Sequence, residues 1–211
     1  MKIKDKIKNN KTFLSVCFSI ISTIIFAIYN CYLGVCFKDL FAIAISIYYF
    51  LLICIKLSAL IVEKQFVKKQ DKMKSIIRIK TYKTLSIFVF GIDLCLIAPI
   101  ILMVVKPKDV KFGIIPAITI ATYTTYKIIH ALLNYKKSKK THNLIMILLR
   151  ELNIIEAIVS ILTLQHTLIM VNGGMNESMK TLSLITSIGF IVVIIMFSII
   201  SFVKNRNISF K

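Results

Sequence analysis

The chain has 211 residues, 57% of them hydrophobic, a mean hydropathy of +0.82 and a formal net charge of +19. In a water-soluble protein so large a positive charge points to nucleic acid. Here the cations collect between long apolar runs, which excludes nucleic-acid binding and leaves no stretch for a soluble domain. The expected class is an all-α polytopic membrane protein, with residues 1–211 forming one transmembrane domain.

Six apolar runs follow one another at 12–37, 40–62, 84–105, 112–134, 152–172 and 181–203. At about 1.5 Å per helical residue, each is long enough to cross a ~30 Å hydrocarbon core. The first follows a tail carrying Lys2, Lys4, Lys6, Lys8 and Lys11. It outruns the apolar core of a signal peptide, about 7–15 residues, and no small-x-small cleavage site closes it, so it reads as a retained span. Cys31 and Cys36 lie near its outer end, but five positions apart on a continuing helix they are too distant for a disulfide. The segment 63–83, basic and interrupted by Phe66, Met73 and Ile76, reads as an extension of the second helix or as an amphipathic helix on the inner surface. Very short outer loops make three antiparallel hairpins of the six spans. Ala42–Tyr48 resembles Ala117–Tyr123, and 101–104 resembles 168–171, which suggests a threefold hairpin repeat.

Basic residues fall on alternate loops. The tails and the two inner loops carry five, eight, five and three, 21 in all, against five on the other side. The positive-inside rule then places both termini in the cytoplasm, as expected of a multi-pass plasma-membrane protein. The same basic surface attracts anionic headgroups. A protein partner or a second copy of the chain is compatible with this surface.

Polar residues recur at helical spacing inside the spans: Ser15, Ser19, Ser22 and Asn30 in the first, and Asn153, Glu156, Ser160, Thr163 and Thr167 in the fifth. Small hydroxyl residues serve close helix packing. Charges within spans are costly, about 3 kcal/mol on insertion scales, and turn inward to a partner. Lys56, Lys127 and Glu156 occupy the cytoplasmic half, where the alternative for the two lysines is to snorkel along their long stems to the inner headgroups. Asp93 lies roughly 14 Å deep by rise per residue, too deep for its short side chain to snorkel, and is expected to pair with Lys56 or Lys127, to be neutral and hydrogen-bonded, or to face water. Tyr48, Tyr49, Tyr123, Tyr126 and His130 lie near these charges and complete a candidate intramembrane binding cluster. His166 reads as a packing residue. Pro99 should kink the third span, because it frees the carbonyl of Cys95.

No phosphate-binding glycine loop, nucleophile elbow, zinc motif or potassium filter is present. No catalytic residue, metal or cofactor is expected, and the chain does not read as an enzyme. The residues Tyr48-Tyr49-x-Leu51 leading to Lys56, Tyr123-x-x-Tyr126-Lys127 followed by Asn134, and Ala157-x-x-Ser160-x-x-x-Leu164-Gln165-x-Thr167 resemble a family of uncharacterised six-span membrane proteins from low-GC Gram-positive bacteria. The similarity covers residues 34 to 174. Family members carry Arg where Lys56 stands and often Asn near Asp93. The resemblance implies the six-span architecture and a core of Tyr48, Tyr49, Lys56, Tyr123, Tyr126 and Lys127, without an activity. Two functions fit these features: a small transporter or channel-like protein with a cytoplasm-facing polar cavity, or a non-transporting scaffold or regulatory subunit whose buried charges are structural.

Overall fold

A computed structural model describes the backbone of residues 2–66, 71–105, 113–138, 144–172 and 177–208, and the side chains of 15–64, 79–102, 113–134, 145–172, 178–179 and 181–200. Described residues form helices, with no strand among them: α1 (Lys2–Phe37), α2 (Leu40–Phe66), α3 (Asp71–Cys95), α4 (Ile97–Val105), α5 (Ile114–Ser138), α6 (Leu144–Val171) and α7 (Glu177–Ile208). Four stretches are long and apolar enough to cross a membrane: Ser15–Phe37, Leu40–Lys64, Ile79–Leu102 and Thr181–Ile200. α5 and α6 are of similar length but carry the buried ionic groups described below. The basic N-terminal tail belongs to α1. The inner segment 63–83 is divided between the end of α2 and the start of α3, with residues 67–70 outside the described part.

The third apolar run is broken, as the proline predicts. Leu96 separates α3 from α4, and its N–H bonds back to the carbonyl of Asp93 at 3.2 Å, one residue tighter than an α-helical bond. Pro99, in the first turn of α4, has no N–H to offer the carbonyl of Cys95.

α1 turns into α2 through Lys38, whose φ is +53°. The N–H groups of Lys38 and Asp39 return to the carbonyls of Val35 (3.4 Å) and Gly34 (2.9 Å), a helix-ending pattern in which the left-handed residue is usually glycine. Asp39 then caps α2 by accepting from the N–H of Phe41 at 3.0 Å. Cys31 and Cys36, on a helix that continues to Phe37, are both free thiols.

α6 is the axis of the bundle. Between Ile145 and Met170 its described residues are buried or half-buried, except Leu168. It packs against α2, α3, α5 and α7, and its hydrogen bonds also reach α1. Paired contacts fix the directions. Ser19 meets Asn153 and Thr23 meets Glu156, so α1 and α6 run parallel. Lys127 meets Glu156 and Thr124 meets the carbonyl of Ser160, so α5 and α6 run antiparallel.

Polarity is reversed from that of a soluble protein. Ser19, Thr23, Asn30, Lys56, Asp93, Lys127, Asn153, Glu156, Thr163 and Thr167 are buried, while Phe18, Ile25, Ile28, Phe50, Phe88, Ile118, Ile129, Ile185 and Ile188 are exposed. Such an apolar belt far exceeds the patches that soluble monomers tolerate. It is the surface a bilayer solvates.

Candidate functional site

Glu156 projects from the axial helix and is held between two lysines from opposite neighbours. Lys56 of α2 donates to Glu156 Oε1 at 2.7 Å, Asn153 Oδ1 at 2.8 Å and Ser19 Oγ at 3.2 Å. Lys127 of α5 donates to Glu156 Oε2 at 2.6 Å, Thr23 Oγ1 at 2.8 Å and the carbonyl of Ser19 at 3.5 Å. Each ammonium thus has three acceptors for its three protons. The three charged side chains are at most 1% exposed. Burial this complete removes water's screening, so the attraction is strong, but so is the desolvation it must offset. Two cations on one carboxylate leave one net positive charge in the core. Lys127 has additional support, its Nζ lying 5.4 Å from the centroid of the Tyr123 ring.

Of the alternatives for Asp93, the structure forms the hydrogen-bonded one and not the lysine pair: Asp93 meets neither lysine. Its carboxylate accepts from the Tyr48 hydroxyl at 3.0 Å and from the hydroxyl of Ser198 on α7. α3 packs against α2 and α7, which turns Asp93 away from α5. A cavity of about 10 Å³, lined by Ser86, Glu151 and Ser198 among others, adjoins this pair and has room for about one water. Asp93→Asn is accordingly expected to be mild, because an amide oxygen still accepts one hydroxyl and strands no cation. Asp93→Leu should lose about 1–3 kcal/mol by leaving two buried hydroxyls unpaired. In double-mutant cycles Asp93 should couple to Ser198 and not to Lys56 or Lys127. Coupling to either lysine beyond ~0.5 kcal/mol of additivity error would restore the ion-pair reading.

The aromatic candidates divide between layers. Tyr49 of α2 and Tyr123 of α5 clamp Phe26 of α1. Tyr123 stacks on it at 3.6 Å between centroids with an interplanar angle of 6°, and Tyr49 meets it edge-on at 5.2 Å and 87°. The hairpin similarity aligns Tyr48 with Tyr123, yet the residue that faces Phe26 opposite Tyr123 is Tyr49. Toward the inner end, Tyr126 packs on Phe18 and on His130. His130 hydrogen-bonds Ser15 at 3.4 Å and Asn134 at 3.1 Å.

At the outer end lies a pair that sequence reading missed. His166 Nε2 lies 2.9 Å from Asp39 Oδ2. Asp39 reads in sequence as an ordinary loop charge, and only its place before an apolar run marks it as a helix cap. Thr23 and Phe26 were also missed, one a lone hydroxyl and the other an apolar residue in an apolar run. No group of three or more His, Cys, Asp or Glu among the described residues is arranged to hold a metal ion.

Comparison of the chain with protein-family models, with curated proteins and with solved structures gives no match.

Proposed function

We propose that the chain is a six-span protein of a bacterial plasma membrane that acts as a small transporter or channel-like protein, entered from the cytoplasmic side. The observation that carries this reading is a column of buried and half-buried polar groups along the α1–α6 seam, interrupted at Phe26. It begins at Ser15 and His130, passes through Ser19, Asn153, Lys56, Lys127, Glu156 and Thr23, and ends beyond Asn30 at His166 and Asp39. Polar groups are expensive in a bilayer core, and a column of them broken at one ring marks a pathway for ions or protons. Packing alone would be served by scattered serines. Resemblance to the uncharacterised six-span family supports the architecture and adds no substrate.

One observation favours the second reading, a non-transporting scaffold or regulatory subunit: the lysines at the centre have all their donors satisfied by protein. Flux of protons, metal cations, chloride and small metabolites into proteoliposomes containing phosphatidylglycerol tests the two readings. Transport of any of these above empty vesicles supports the first. A stable, folded protein that moves none, and that co-purifies with a stoichiometric partner in native mass spectrometry, supports the second.

Orientation is a separate expectation, from the 21-to-5 split of basic residues. A reporter fused after Lys211 should remain cytoplasmic, and one inserted at Asn176 should be exported. Outside labelling of Lys211 with protection of Asn176 would reverse the orientation and move the Lys–Glu–Lys cluster to the outer half.

A further inference from the structure

We propose that the species carried along the seam is the proton, with Lys56 as its loading site and Phe26 as the hydrophobic gate that separates the inner and outer polar groups. This rests on the transport reading above.

The seam is polar on both sides of Phe26 and blocked at its ring. Below it, Thr23 connects to Glu156 at 3.0 Å and to Lys127 at 2.8 Å. One turn above, Asn30 is 1% exposed, and its amide donates back to the carbonyl of Phe26 at 2.9 Å. Between Glu156 and His166, about 15 Å of helix by rise per residue, α6 presents Ser160 and Thr163, with Thr167 just beyond, all buried. Phe26 itself is 2% exposed and clamped between two tyrosine rings. Around it the Tyr49 and Tyr123 hydroxyls lie beside Thr163 and Thr23 without a well-aligned hydrogen bond, and Asn30 Oδ1 has no hydrogen-bond partner. Unpaired buried polar groups are rare in native proteins and call for an explanation. Gathered about one apolar ring, Asn30 Oδ1 and the two loosely held hydroxyls are groups that a transient hydrogen-bonded chain would use.

Chemistry selects the proton. All six ammonium hydrogens of Lys56 and Lys127 are taken by protein acceptors, so neither cation has a donor left to recognise an anionic metabolite. A metal cation entering the cluster would face two ammonium groups sharing a single carboxylate. The cluster can nevertheless exchange one proton: Lys56 passes it to a water molecule entering the seam, giving up one hydrogen bond and becoming a neutral amine, and takes one back from water to return to ammonium. The cluster then alternates between neutral and one positive charge. Lys56 is the better site because Lys127 has the Tyr123 ring face as well as Glu156 to hold its charge. The groups facing Lys56 are Ser19 of α1 and Asn153 and Glu156 of α6. Lys127 of α5 stands across the shared carboxylate.

The test uses the full chain in vesicles of phosphatidylcholine and phosphatidylglycerol. A potassium gradient with valinomycin sets the potential, and a pH-sensitive dye reports from inside. Phe26→Ala should raise proton influx by about tenfold, a factor equal to ~1.4 kcal/mol of barrier. Phe26→Leu, which keeps bulk and is the safer fold, should fall between Phe26→Ala and wild type. Adding Lys56→Met, which leaves the neutral Glu156–Lys127 pair, should return the influx to the level of empty vesicles. Influx that persists in Phe26→Ala/Lys56→Met would remove Lys56 as the loading site. Equal leakage of sodium or chloride through Phe26→Ala would show a non-selective hole and overturn the proposal. If wild type carries chloride or a metabolite and neither Phe26 variant gains proton flux, the proton assignment falls and the transport reading stands. No flux from folded wild type or variants would overturn both.

Discussion

Glu156→Gln should be the most damaging single substitution in this chain. An amide removes the one negative charge between Lys56 and Lys127 and leaves two cations buried at 1% exposure. Breaking a buried pair from one side typically costs about 3–5 kcal/mol in soluble proteins, and here two pairs share the broken partner. Snorkelling and local water entry relieve part of that in a bilayer. Against a total stability of about 5–15 kcal/mol, the variant should accumulate poorly or melt far below wild type in detergent. Lys56→Met and Lys127→Met behave differently, because each leaves one neutral ion pair; both should lose less. Lys127→Met added to Glu156→Gln should recover part of the loss, and adding Lys56→Met should recover more. If Glu156→Gln melts with wild type, the carboxylate does not hold the core and the cluster is misassigned.

At the outer end, substitution of Gly34 should break the α1–α2 hairpin. A Cβ at this position would lie 2.5 Å from Ile43 Cγ1 and 2.9 Å from the Ile43 backbone nitrogen. The side-chain atom can rotate away, but the backbone nitrogen belongs to the first turns of α2 and cannot. Overpacking of this kind costs about 1–3 kcal/mol for a methyl group and more for larger residues. The strain would also reach function. Moving the start of α2 displaces Asp39 from the Phe41 N–H and from His166, opening the outer end of the seam. Gly91 provides the control, since a Cβ there meets nothing within 4 Å and alanine gains about 1 kcal/mol of helix propensity. Thermal melting in detergent should therefore fall for Gly34→Ala and hold or rise for Gly91→Ala. Equal behaviour of the two would mean that the close approach at Gly34 does not matter.

Much of the helical architecture follows from length and periodicity alone, and the break in the third run follows from the missing N–H of Pro99. Depth within the apolar runs left Lys56 and Lys127 either to snorkel or to turn inward, and the structure turns both onto Glu156. Which partners they find depends on how each helix rotates against its neighbours, and hydropathy does not record rotation. Asp93 shows the difference: its depth was readable, but its turn toward α7 and Ser198 was not. Phe26 was hidden for another reason. An aromatic ring among isoleucines gives no sequence signal until Tyr49 and Tyr123 are seen to close on it.

The burial of α6 on nearly every side has a consequence for biogenesis. A helix whose centre holds a carboxylate gains little by entering lipid alone, and insertion scales charge about 3 kcal/mol for such a group at mid-helix. Its neutralising lysine rides on α5, the helix made immediately before it, and the antiparallel contact brings the two together as one hairpin. Integration of α6 is thereby tied to the survival of its predecessor. Lys56 and Thr23, made earlier still on α2 and α1, are waiting when the hairpin arrives. Synthesis order and electrostatics run in the same direction, so a nascent chain that lost α5 would leave α6 waiting on Lys56 alone to neutralise Glu156.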